Sequence, residues 1–395
     1  MNSLKEELNI LKGKNRYRSF KTVEKISGPI VRINGKKLIN FASNNYLGLA
    51  HRFSVRWAAL RATWQFGTGA GASRLVSGHT VFHEALEDAL AKFKGVEAVL
   101  LYPTGYMANL GAISTLIGPD DLIILDRFNH ASIIEAAQLS RAKIWVYPHR
   151  DVKRLEEILK KAESQNFKNK WVITETLFSM DGDIAPLKEI LNLCQKYNAH
   201  LMIDEAHATG VLGKTGKGAL EHFSINPREV DVVMGTLSKA LGSLGGFIGG
   251  KRETIDYLRN KSKSFIYTTA LPAGVCASAL KALEMIQGKN SPLQFLRKNT
   301  EYFFEGLKKR GLESSGEFTP IIPIIIGDDR ATLAVEDFLK EQGTFAPAIR
   351  PPTVPEGKGR IRLSLMASHT QKHLDQVLEI IGKIKKDEHT SASAA

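Results

Sequence analysis

Residues 231–250 read DVVMGTLSKALGSLGGFIGG, and the fold can be read outward from them. The stretch opens as a continuous apolar run, Asp231-Val232-Val233-Met234-Gly235. It turns through Thr236-Leu237-Ser238-Lys239 and resumes at Phe247-Ile248 between glycines. Short unbroken apolar runs mark strands covered on both faces. One lysine, Lys239, stands among Ala, Leu, Gly and Ser. Desolvating an ammonium is costly. Such a lysine therefore either snorkels to water at a helix start, or has a lowered pKa and an amine free to attack carbonyls. This segment alone leaves both readings open.

The same pattern extends upstream. Apolar runs predict strands at 98–102, 122–125, 143–147, 171–175, 200–204, 232–235 and 246–248, with helical periodicity between them at 81–94, 132–140, 152–164 and 186–197. Strands alternating with helices predict an α/β fold with a mostly parallel sheet covered on both faces. Before it, Asn34-Gly35 between two alternating apolar runs predicts a hairpin, and Ser43–Leu49 reads as a ligand-facing loop. Gly67–Arg74 is glycine-rich but departs from GxGxxG and lacks a preceding strand, so it reads as a closely packed loop rather than a dinucleotide fingerprint. Past Pro272, helices at 273–288, 293–311, 331–342 and 371–386 and strands at 319–326 and 360–365 predict a small α+β domain. The expected organisation is an N-terminal segment with a hairpin (1–44), a large α/β domain (45–270), a small C-terminal α+β domain (271–388) and an irregular tail (389–395).

Composition narrows the function. The net charge is +13, but the lysines are scattered and not interleaved with aromatics, which reads as a solvated basic surface and not a nucleic-acid face. Cys194 and Cys276 lie far apart, outside any zinc or CxxC spacing, which fits a reducing compartment. The chain shows neither a long apolar span nor a signal-peptide core, so it reads as a cytoplasmic soluble protein that binds neither membrane nor nucleic acid. Ala208–Thr215 satisfies a relaxed phosphate-loop pattern. Gly216-Lys217-Gly218 follow it, however, and two glycines in three residues disfavour the helix that such a loop must enter.

Ligands of open α/β sheets bind beyond the carboxyl ends of the strands. Polar residues collect there: Asp204 and His207 after 200–204, Ser179–Asp183 after 171–175, His130 after 122–125, Thr104-Gly105-Tyr106 after 98–102, and Thr236 and Lys239 after 232–235. A strand-end carboxylate suits a cationic ring nitrogen, an imidazole can stack on a flat ring, a helix N-terminus takes phosphate, and an amine captures an aldehyde. Pyridoxal 5'-phosphate (PLP) asks for all four. A zinc site of Asp204, His207 and His130 is the alternative, without an HExxH or cysteine ligand to support it.

Asp204-Glu205-Ala206-His207-Ala208-Thr209-Gly210, with Thr236-Leu237-Ser238-Lys239 downstream, resembles the α-oxoamine synthases, PLP enzymes of the aspartate-aminotransferase fold. Ser43–Leu49, Ser73–Gly78, Asn129–Ser132, Phe178–Asp183 and Arg360-Ile361-Arg362 extend the likeness over almost the whole chain, while Arg52–Phe66 looks unusual for the family. The resemblance implies PLP fold type I, with a mostly parallel seven-stranded sheet and a small C-terminal domain. It implies Lys239 as the cofactor-bearing amine and base, Asp204 on the ring nitrogen, His207 and Ser179 on the ring hydroxyl side, and His130 stacked on the ring. Gly105, Tyr106 and Thr236 fall on the phosphate side. Arg362 and Asn44 become candidates for the amino-acid carboxylate, and Arg18 and Thr353 for the acyl substrate. It also implies a homodimer, with Thr268 and Thr269 reaching the partner's phosphate. The run Ala348-Ile349-Arg350-Pro351-Pro352-Thr353-Val354-Pro355 is most similar to family members that condense L-alanine with pimeloyl-CoA or pimeloyl-acyl carrier protein, releasing CO2, in biotin synthesis. Sister enzymes use glycine with acetyl-CoA. A nucleotide-binding module built on Ala208–Thr215 is the reading from another class.

Overall fold

The structure, a computed structural model, describes residues 3–312 and 317–392. The chain divides into two units, a larger one of Leu49–Ser179 and Ile184–Leu293, and a smaller one of the residues up to Gly48, Met180–Asp183 and those from Gln294 on.

The larger unit is built on strands β1 (Ala98–Tyr102), β2 (Leu122–Asp126), β3 (Lys143–Tyr147), β4 (Lys170–Glu175), β5 (His200–Asp204), β6 (Val232–Thr236) and β7 (Gly246–Gly250). They form one seven-stranded sheet in the order β1-β7-β6-β5-β4-β2-β3. Pairing is parallel from β6 across to β3, while β7 runs antiparallel to both β1 and β6. Every residue of β1, β2, β6 and β7 is buried, as their unbroken apolar sequences require. Helices Gly105–Leu116 and Ala131–Ser140 pack on the sheet through Ala108, Ala112, Ile113, Ile133 and Ala136, against Leu100, Ile123 and Ile248.

One correction concerns this unit. Residues Phe53–Phe66 form a helix whose inner residues Val55 and Ala62 are buried. Helix Ala273–Gln287, expected in the C-terminal domain, packs on it instead: a Cβ on Gly274 would lie 2.2 Å from Thr63 Oγ1 and 2.9 Å from the Ala59 carbonyl. This close approach of small residues carries the larger unit to Leu293, past the boundary expected at 270.

In the smaller unit, strands Val23–Ser27, Ile30–Ile33, Lys36–Asn40 and Thr344–Phe345 make a four-stranded sheet. Asn34 (φ 49°) and Gly35 (φ 74°) both take the left-handed conformation that a two-residue hairpin turn needs. Strands Ile321–Gly327, Gly359–Ser364 and Ala348–Ile349 make a second, antiparallel sheet. The last helix, Gln371–Ala392, takes in most of the tail expected to be irregular from His389, and the rest of that tail lies outside the described residues. No helix among the described residues is long and apolar enough to cross a membrane.

Candidate active site

Lys239 lies in the β6–β7 turn rather than at a helix start. The turn is closed by its own hydrogen bonds: the Leu237 N–H donates to the Gly245 carbonyl (2.9 Å), the Gly242 N–H to the Lys239 carbonyl (2.9 Å) and the Ser243 N–H to the Leu237 carbonyl (2.9 Å). Thr236 Oγ1 donates to the Gly245 carbonyl (2.8 Å) and accepts from the Ser238 N–H (3.2 Å), so its hydroxyl already serves the turn. Gly242 sits at φ +64°, and a Cβ there would lie 2.4 Å from the Ala50 nitrogen. The half-buried lysine is thus carried by a backbone-closed loop.

Asp204 ends β5 and is buried. Its Oδ2 accepts from Asn109 Nδ2 (2.8 Å) and its Oδ1 from the Ala206 N–H (2.8 Å). Each oxygen of the buried carboxylate is thus held by an N–H donor. Asn109 also donates to Ser132 Oγ (2.9 Å), which lies 2.8 Å from His130 Nδ1. His130 caps helix Ala131–Ser140, its Nδ1 accepting from the Ser132 N–H (3.2 Å). The residue is solvent-exposed, yet partial desolvation by nearby protein lowers its pKa, with Asp204 opposing and Lys239 adding to the shift. The imidazole is therefore neutral at pH 7, as suits a stacking face. On helix Gly105–Leu116, Thr104 takes the Met107 N–H (3.1 Å), which leaves the first-turn N–H groups of Gly105 and Tyr106 without an intrahelical acceptor. A Cβ on Gly246 would lie 2.6 Å from Gly105 Cα, so only glycine in β7 lets that helix end approach.

Gly105, Tyr106, His130, Asp204, His207, Thr236 and Lys239 line one cavity of about 200 Å³. Ser179 does not line it, and neither do Thr268 and Thr269, which border a separate small cavity with Arg74 and His83. The cavity adds Asn109, Ser132 and Glu175 to the expected set. Asn109 was legible as the lone amide in an otherwise apolar helix, and Glu175 as a carboxyl ending an apolar strand. Among the described residues no group of three or more His, Cys, Asp or Glu could hold a metal.

The phosphate-loop reading fails on hydrogen bonding. The Thr215 and Lys217 N–H groups donate to Glu221 Oε2 (2.9 and 3.1 Å) and the Ala219 N–H to Glu205 Oε1 (2.8 Å). Glu205 is itself paired with buried Lys94. Carboxylates occupy the donors that a phosphate would need.

In the smaller unit, buried Arg362 donates from Nη1 to Asn44 Oδ1 (3.1 Å) and Ser364 Oγ (2.6 Å), and from Nη2 to the Tyr46 hydroxyl (3.3 Å). Arg18 Nη2 donates to Thr353 Oγ1 (3.1 Å) beside a cavity of about 110 Å³ that Arg16 and Arg350 also line. Arg16 is neutralised by Asp329 (2.7 Å) and Glu356. Arg350 Nε is buried with no hydrogen-bond partner among the described residues.

The family model for aminotransferase class I and II matches residues 36–381. The chain is 43% identical over 383 residues to the 8-amino-7-oxononanoate synthase of Thermoanaerobacter pseudethanolicus, covering 97% of this chain and 96% of that protein. Its fold matches serine palmitoyltransferase of S. paucimobilis with bound PLP–myriocin aldimine, with a TM-score of 0.91, 30% identity and 97% of each chain covered. It also matches the 8-amino-7-oxononanoate synthase of Francisella tularensis, with a TM-score of 0.77, 30% identity and 89% and 99% of the two chains covered.

Proposed function

The chain belongs to the aminotransferase class I and II family, and from that premise we propose that it is a PLP-dependent acyltransferase joining L-alanine to a pimeloyl thioester with loss of CO2, the 8-amino-7-oxononanoate synthase reaction of biotin synthesis. The observation that carries this is the single cavity holding an amine, a doubly hydrogen-bonded acid, a neutral imidazole and an open helix N-terminus. That donor set fits PLP: Asp204 for the ring-nitrogen proton, His130 for the ring face, the Gly105 and Tyr106 N–H groups for phosphate, and Lys239 for the aldehyde. The names of relatives at 43% identity support the choice of substrates.

When bound, PLP draws electrons away from the α-carbon of the amino acid. Lys239 Nζ would remove the proton from that carbon, which displaces the thiol from the acyl donor as the C–C bond forms, and would return a proton after CO2 has left. Asp204 keeps the ring nitrogen protonated throughout. His207 would hold the ring hydroxyl side, and Thr236 braces the turn on the phosphate side. Arg362, oriented by Asn44, receives the carboxylate of alanine. Arg18, Thr353 and the unpartnered Nε of Arg350 receive the acyl substrate at its far carboxylate. The working assembly is a cytoplasmic homodimer in which Thr268 and Thr269 face the partner's phosphate.

The test is turnover with pimeloyl-CoA and alanine, glycine or serine as amino acid, together with the visible absorbance of the purified protein. Yellow protein that loses its colour in Lys239→Ala and turns over alanine supports the proposal. Glycine turnover with acetyl-CoA assigns the sister reaction, and colourless protein removes the PLP reading.

A further inference from the structure

Glu175 at the end of β4 and Asp204 at the end of β5 are register partners on neighbouring parallel strands. Register partners project to the same face of a sheet, and both line the Lys239 cavity. The site therefore contains two carboxyls, and their surroundings differ. Asp204 receives N–H groups from Asn109 and Ala206. The Glu175 side chain accepts from the backbone N–H of His130, while its Oε1 is buried with no hydrogen-bond partner among the described residues. An ionised oxygen left buried without a donor is costly, whereas a protonated one becomes a donor itself. Burial is the largest influence on this group and favours the protonated form. Asp204 and Asp126 act in the same direction, while Lys239 and the His130 N–H oppose it.

We propose that Glu175 is the neutral carboxylic acid of the site: its proton stays on the buried Oε1, Asp204 is left as the anion of the pair, and the other oxygen accepts the His130 N–H and so positions that residue. The identity of that group as PLP rests on the function proposed above. The arrangement keeps a single negative charge opposite a single ring-nitrogen cation. Two ionised carboxylates would repel each other across neighbouring strands. It is the logic by which other active sites hold one carboxyl neutral and its neighbour ionised.

The experiment compares the full-length protein with Glu175→Gln and Glu175→Leu, each with and without added PLP. Infrared difference spectra of the wild type should contain the C=O band of a protonated carboxyl at pH 7.5, lost in Glu175→Gln. Because that change replaces one neutral donor by another, the pH titration of the bound-PLP absorbance should move by less than about 0.3 unit. Glu175→Leu, which cannot accept the His130 N–H, should bind PLP roughly tenfold more weakly. Absence of the band, or a titration moved by about a unit or more in Glu175→Gln, would mean that an anion had been removed and would overturn the proposal. Unchanged PLP affinity in Glu175→Leu would overturn the positioning role. A protonated-carboxyl band in a protein that binds no PLP would support the charge state and remove the cofactor reading instead.

Discussion

Asn109 bridges Asp204 and Ser132 from helix Gly105–Leu116, so it braces Asp204 and, through Ser132, His130. Asn109→Leu keeps the volume and removes both donors. A hydrogen bond to a charged group contributes about 1.5–3 kcal/mol, so kcat should fall by roughly 10- to 100-fold, with KM for the acyl donor unchanged. A rise in KM with kcat unchanged would reassign Asn109 to binding. A second residue-scale prediction concerns His369. Its Nδ1 accepts from the Met366 N–H (3.0 Å), its Nε2–H donates to the Asn40 carbonyl (3.1 Å), and its ring stacks on Phe41 at 4.2 Å. Burial pushes its pKa down to about 3. Between about pH 6.5 and 3 the unfolded chain binds this proton and the folded chain does not, so stability falls as pH falls through that window. The ceiling of the effect is on the order of 5 kcal/mol. His369→Gln should flatten the dependence of Tm on pH below 6.5, and an identical slope in the variant would exclude His369 as its source.

At the scale of elements, β7 matters because it lets the start of helix Gly105–Leu116 come close. Gly246→Ala should push that end away and weaken PLP binding at least tenfold through lost phosphate contacts, read by absorbance titration, with little change in far-ultraviolet circular dichroism. The seven strands of the sheet were legible because each is a short apolar run between turn residues, and Asp204, His207 and Lys239 followed from lying at their carboxyl ends. Other elements were not. Strand Val23–Ser27 is exposed along its whole length, so no apolar alternation marks it. Helix Phe53–Phe66 turns Trp57, Leu60 and Trp64 outward, which blurs its apolar face. The partner of helix Ala273–Gln287 was hidden because its signal is small residues permitting close approach, not periodicity. Glu175 was read as the end of a strand, because a carboxyl's lack of partners exists only in three dimensions.

For the whole molecule, the charge of +13 predicts long-range attraction of an acidic carrier protein. Raising salt from about 0.05 to 0.5 M should lower kcat/KM for carrier-bound pimeloyl several-fold, and much less for pimeloyl-CoA, since the Debye length shrinks from roughly 14 to 4 Å. Equal responses would place the carrier's recognition elsewhere. The smaller unit has a further consequence. Lys36–Asn40 near the start of the chain pairs with Thr344–Phe345 near its end, about 300 residues later in synthesis. At 5–20 residues per second, that hairpin edge waits roughly 15 to 60 s on the ribosome before its neighbour exists. An open edge is a template for the wrong chain, so nascent molecules should depend on chaperone shielding of the first forty residues far more than refolding full-length protein does.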